Sequence, residues 1–175
     1  MPATETTLSA LERSWQMVDA AMTELDDATL ASRPNEQSNS IAWTLWHMNR
    51  VADNFIHTRF QDKAPIWTRD GWHAKFGMPN DAGDFGMGWD AEKVAAWKAP
   101  AKDVLLAYFE AIKSAARAYL LPLTETDLAK QVPFPAPPNT VSIGEALGVL
   151  LNDNLSHGGQ IAYLRGYYRG MGWYR

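Results

Sequence analysis

The chain has 175 residues, enough for one domain with a buried core. Hydrophobic residues at 46%, aromatics at 11% and a net charge of only -4 exclude a disordered chain, and the lack of a basic excess excludes a general nucleic-acid binder. There is no cysteine, which excludes disulfides, Cys-based zinc sites and a thiol nucleophile of the protein's own.

The N-terminus lacks a basic segment followed by an apolar run, and no stretch approaches the roughly 18 apolar residues of a membrane span. The expectation is a soluble cytoplasmic protein with no membrane partner. A first helix is predicted over 7–26, where Leu8, Leu11, Trp15, Val18, Met22 and Leu25 step 3, 4, 3, 4, 3. The polar stretch 28–39, with Pro34, reads as a connector. A second helix starts near Ser40, with Asn39 or Ser40 as N-cap, and carries Ile41, Leu45, Met48, Ala52 and Phe55. Trp43, Trp46, Val51 and Ile56 widen its apolar surface, so it is buried on more than one side.

The next stretch, 61–99, is too long for an ordinary loop and contains Trp67, Trp72, Phe76, Phe85, Trp89 and Trp97. It is expected to pack on the helices, with a short helix beginning at Asp90-Ala91-Glu92 and ending at Trp97. Pro100 opens a third helix bearing Leu105, Tyr108, Ile112, Ala115 and Tyr119, and Pro122 ends it. The proline-rich stretch 132–139 reads as an extended connector. Ser142-Ile143-Gly144-Glu145 then forms a capping box that starts a fourth helix. No alternating strand pattern is evident, so the expected class is all-α: a four-helix bundle in one domain, with a long crossover between helices two and three.

The core stripe of helix four is broken by Asn154 and His157, with Asp153 beside them. Residues 153 and 157 are four apart and leave the same helix face. Such a pair is either an ion pair or half of a metal site. His47, in the apolar run TLWHMNRV of helix two, adds a third donor. One His from one helix and an i, i+4 pair from another is a common way to build a metal site in a bundle. Three protein ligands leave an open coordination position, as in catalytic sites. Gln160 is placed to orient His157, and Trp43, one turn before His47, either walls the site or packs the core. His57 falls about 80° off the His47 face, at 100° per residue, which predicts a place near the surface. His73 lies in the crossover and is not required by any spacing.

Other motifs are weak. There is no HExxH, P-loop or GxSxG, and the glycines of AGDFGMGW follow no strand, so they are not a nucleotide fingerprint. Arg165, Arg169 and Arg175 with Tyr167, Tyr168 and Trp173 read as a solvated helix end.

The stretch SIAWTLWHMNRVADNF, with His47, and the stretch LLNDNLSHGGQIAYLRG, with His157, resemble the two signatures of the DinB-like superfamily. The linker LASRPNEQSNSI and the order of four helices with a long second crossover are similar as well, so the resemblance spans nearly the whole chain. It implies an up-down-down-up bundle, commonly a homodimer, with a divalent metal held by one His from helix two and a His-x-x-x-His pair from helix four. His47 and His157 match two of these positions. The first His of the pair falls on Asp153, a departure that gives a two-His-one-carboxylate set suited to zinc, nickel, iron or manganese. Asn154, three before His157, is the other and poorer candidate ligand. The resemblance also implies transferase or isomerase chemistry with a low-molecular-weight thiol, which here must come from a cosubstrate. Trp67, Trp72 and Phe76 are expected as a lid over the pocket. The alternative is a non-catalytic ligand-binding or stress-related bundle protein whose metal site has degenerated.

Overall fold

A computed structural model describes residues 3–137 and 139–174. The chain is mostly helical. Helix α1 (Ala3–Met22) buries Leu11, Trp15, Val18 and Met22, the seam read from the sequence. It stops at Met22 rather than near Asp26, because Glu24 takes a left-handed φ of 62° that no helix continues through. Asp26 then caps a short α2 (Asp27–Ala31) by accepting from the Thr29 amide, so part of the expected connector is helical, pinned by buried Leu30.

Helix α3 (Ile41–Asp53) begins where Ser40 accepts the Trp43 amide, and every one of its residues is buried. It continues into a π-helical turn, Asn54–Arg59, in which the Phe60 amide reaches back to the Phe55 carbonyl. The crossover holds three short helices: α4 (Ile66–Arg69), α5 (Trp72–Lys75) and α6 (Ala91–Ala96), the last capped by Asp90 as the sequence implies. Helix α7 (Lys102–Leu120) starts just beyond Pro100, and α8 (Glu125–Leu128) follows it.

The proline-rich connector departs from the expectation of no strand. β1 (Gln131–Pro133) and β2 (Thr140–Ser142) pair antiparallel, with Val132 opposite Val141. Proline is tolerated here because this ribbon consists of two edge strands. Helix α9 (Ile143–Arg169) begins at the Ser142–Glu145 capping box.

The four long helices pack with α1 and α3 each against both α7 and α9. α1 and α9 approach closely at Gly158, where an added Cβ would lie 2.6 Å from the Ser14 hydroxyl. Asn154 is buried at the same interface: its Oδ1 accepts from Trp15 Nε1 at 3.2 Å and its amide donates to the Leu150 carbonyl. α3 therefore lies between α7, α9 and the crossover, and its polar side chains emerge into protein rather than water. No helix is long and apolar enough to cross a membrane among the described residues.

Candidate metal centre

His47, central in buried α3, and Asp153 and His157, one turn apart on α9, come together at the α3–α9 contact. One ligand atom from each lies within 4.8 Å of the others. His157 Nε2 is 3.4 Å and His47 Nε2 is 4.0 Å from Asp153 Oδ1. Donors around a tetrahedral zinc stand about 3.3 Å apart, so small rotamer shifts close this set around an ion.

The surroundings prepare these atoms as ligands. His47 Nδ1 bonds the Phe85 carbonyl, which can only accept, so the ring proton sits on Nδ1 and the Nε2 lone pair faces Asp153. His157 Nδ1 is likewise held by Gln160 Oε1 at 2.8 Å, leaving its Nε2 toward the same carboxylate. Asp153 Oδ2 is buried without a hydrogen-bond partner, a costly arrangement that a cation would relieve. The donor set fits a divalent transition metal.

Burial lowers the pKa of His47, more than the Phe85 carbonyl raises it, so this ring is held neutral. At His157 burial also acts downward, but Asp153 and Gln160 together outweigh it and raise the pKa. The two imidazole pKa values are thus shifted in opposite directions beside one carboxylate.

Trp43 stacks on His47 with ring centroids 5.1 Å apart and planes 6° from parallel. The expected lid is corrected. Trp67, Trp72 and Phe76 are buried in a cluster around Tyr108, where Trp67 also meets Trp46 and the Arg50 guanidinium. From the same crossover, Phe85 and Gly86 are what reach His47. Large rings seek the deepest available core, whereas close backbone approach to His47 needs a residue without a side chain. Asn154, the other candidate ligand, has its side chain engaged by Trp15 of α1 and the Leu150 carbonyl.

His57 is not near the surface: it is buried, with Nδ1 2.7 Å from Asp53 Oδ1. The π-helical turn breaks the 100° step assumed from the sequence. His73 bonds the Trp67 carbonyl and takes no part in the site. Asp53, which sequence reasoning passed over, is a second polar centre. It accepts from the Ile66 and Trp67 amides and the Tyr108 hydroxyl at 2.7–3.0 Å, and Arg50 stands 3.6 Å away. Arg50 in turn donates to the Ala82 and Asp84 carbonyls, next to Phe85. The i, i+3 and i, i+4 spacing of Arg50, Asp53 and His57 was the available signal.

The family model of the DinB superfamily matches residues 10–161, most of the chain and all three candidate ligands. The chain belongs to the DinB superfamily. A crystal structure described as that of a conserved protein from Enterococcus faecalis superposes with a TM-score of 0.86 at 23% identity, covering 98% of this chain and 99% of that one. At that identity the likeness establishes a shared fold for this DinB-superfamily protein. No curated protein matches the chain.

Proposed function

We propose that this DinB-superfamily protein is a divalent-metal-dependent enzyme whose ion is held by His47, Asp153 and His157, with zinc or nickel favoured over iron or manganese. The observation that carries the reading is that both histidines have Nδ1 committed to a carbonyl oxygen and Nε2 turned to one carboxylate. When bound, a divalent metal supplies Lewis-acid activation of a small-molecule donor, a thiol or a water. His47 and His157 hold fixed tautomers, Trp43 and Phe85 exclude water from one side, and Gln160 keeps the His157 ring oriented. Where the activated donor is a thiol, the lack of cysteine in the chain means that it comes from a low-molecular-weight cosubstrate, as in the transferase or isomerase chemistry that the family resemblance implies.

The test is elemental analysis of protein purified without a His-tag. Up to one transition metal per chain is expected, and His157→Ala abolishes loading. Occupancy below about one tenth after exposure to zinc and nickel overturns the reading in favour of a non-catalytic bundle with a degenerate site.

We further propose that the chain is one domain over 1–175, an up-down-down-up bundle that pairs as a homodimer. Leu155, Tyr163 and Tyr167 stand exposed along α9, the kind of side chain that interfaces bury. Sedimentation at micromolar concentration is expected to show twice the 19.5 kDa chain mass. A single 19.5 kDa species contradicts the dimer.

A further inference from the structure

Between the π-helical turn, the crossover and α9 lies a partly enclosed cavity of about 240 Å³. Its walls are mainly apolar, with Phe55, Phe85, Phe134 and Val149 among them, and two charged side chains, Asp153 and Arg59, are set into the lining. Asp153 and Phe85 belong both to this cavity and to the candidate metal centre, so its occupant lies beside the donor set.

Arg59 has no part in that centre and needs its own explanation. Its guanidinium lies 5.1 Å from the Phe55 ring centroid and 5.5 Å from that of Phe134. Its Nε donates to Asn54 Oδ1 at 2.9 Å and Nη1 to the Pro133 carbonyl at 3.5 Å. Both acceptors are neutral, and Arg59 pairs with no carboxylate among the described residues. Partial burial lowers its pKa, the mark of a cation taken from water without a counter-charge. The π-helical turn puts Arg59 there by stacking it over Asn54, five residues back, and such turns recur at functional sites.

We propose that this cavity binds a small organic acid with an apolar body, its carboxylate on Arg59 and its other end presented to Asp153 and the histidines. Guanidinium is the side chain best matched to a carboxylate, and the flanking rings suit an aromatic or branched aliphatic body. In the metal-free protein Asp153 sets this orientation, because two anions at that end repel. The volume falls below the roughly 300–1,000 Å³ of sites for drug-sized ligands, which limits the body to about one aromatic ring and a short chain. The acid's remote end being the reacting end rests on the metal-centre reading; the binding itself does not.

The experiment is calorimetric titration of full-length protein, stripped of metal by chelator, with hydrocinnamate and with its neutral amide. The acid is expected to bind at least about 10-fold more tightly than the amide, from one charge-assisted contact. Arg59→Met erases this preference. Val149→Glu, at a half-exposed wall position where folding is not at stake, weakens the acid more than the amide. Equal affinities in the wild type, a preference that survives Arg59→Met, or no binding of either compound overturns the proposal. A protein that prefers the acid yet loads no metal sinks the metal-centre reading alone.

Discussion

Gly86 sits with φ at +86° where the crossover crosses α3, and a Cβ built there would lie 2.8 Å from ring atoms of both Trp43 and Trp46 and 3.4 Å from His47 Nδ1. Two costs therefore meet at one residue: a left-handed backbone and a contact with rings that cannot retreat, since Trp46 is fully buried. Gly88 separates them, because its φ is +75° and nothing lies within 4 Å of its Cβ position. Gly88→Ala is expected to cost about 1 kcal/mol, the backbone share alone. Gly86→Ala is expected to cost roughly 2–4 kcal/mol and to displace the Phe85 carbonyl from His47. Denaturant midpoints for the two variants check the difference, and equal losses would mean that the rings give way. Because Phe85 O fixes the His47 tautomer, Gly86→Ala should also weaken zinc binding while Gly88→Ala leaves it unchanged.

At the scale of elements, the crossover is tied down at two points on the last turn of α3. Asp53 gathers the Ile66 and Trp67 amides at the start of the crossover, and Arg50 gathers the carbonyls of Asp81, Ala82 and Asp84 further along. Tyr108 of α7 completes the first tie, and its own pKa is raised well above the ordinary value by burial and then by Asp53, so it stays a donor. Tyr108→Phe removes one donor from a buried carboxylate and is expected to cost about 1–3 kcal/mol, read as a lower urea midpoint at unchanged slope. An unchanged midpoint would show that the two amides and His57 satisfy Asp53 without it. These ties were passed over in the sequence, but other parts of the fold and of the candidate site were legible in advance, where a side-chain pattern carries the information. The Ser142–Glu145 box, the Ser40 cap and the seam of α1 are local rules, and His47, Asp153 and His157 stood out because polar groups interrupted apolar stripes. Three features were not legible. The tie from Phe85 to His47 uses a backbone carbonyl, which every residue has. The π-helical turn shifts register with no cue in NFIHTR, which misplaced His57. The rings of Trp67, Trp72 and Phe76 revealed that the crossover packs, but not on which side.

Across the whole molecule, the long elements are clamped by ion pairs as well as by the core. Arg117 of α7 grips Glu12 of α1 with two bonds, Lys113 reaches Asp19 of α1, and Arg169 near the end of α9 returns to Asp26 at the start of α2. The carboxyls used in this way and at caps have lowered pKa values: Glu12 by hydrogen bonding to Arg117, Asp26 by Thr29 and then Arg169, and Glu145 by Ser142. A carboxyl whose folded pKa lies below its unfolded one binds fewer protons in the folded state, so its contribution is present above the unfolded value and is lost as pH falls through the folded value. Ordinary values of 3.8 for Asp and 4.5 for Glu place the onset of that loss just below about pH 5. The melting temperature is therefore expected to hold between neutral pH and about 5 and then to fall steadily toward pH 3. Glu12→Gln lowers the melting temperature at neutral pH and flattens the acid limb, because it removes one of the groups that titrate. Raising the salt should shrink the Glu12 share, since the pair is partly exposed, more than the Glu145 share, which comes from hydrogen bonds within one capping box. An acid limb equally steep in the wild type and in Glu12→Gln would move the cause of acid unfolding away from the α1–α7 clamp and onto other titrating groups.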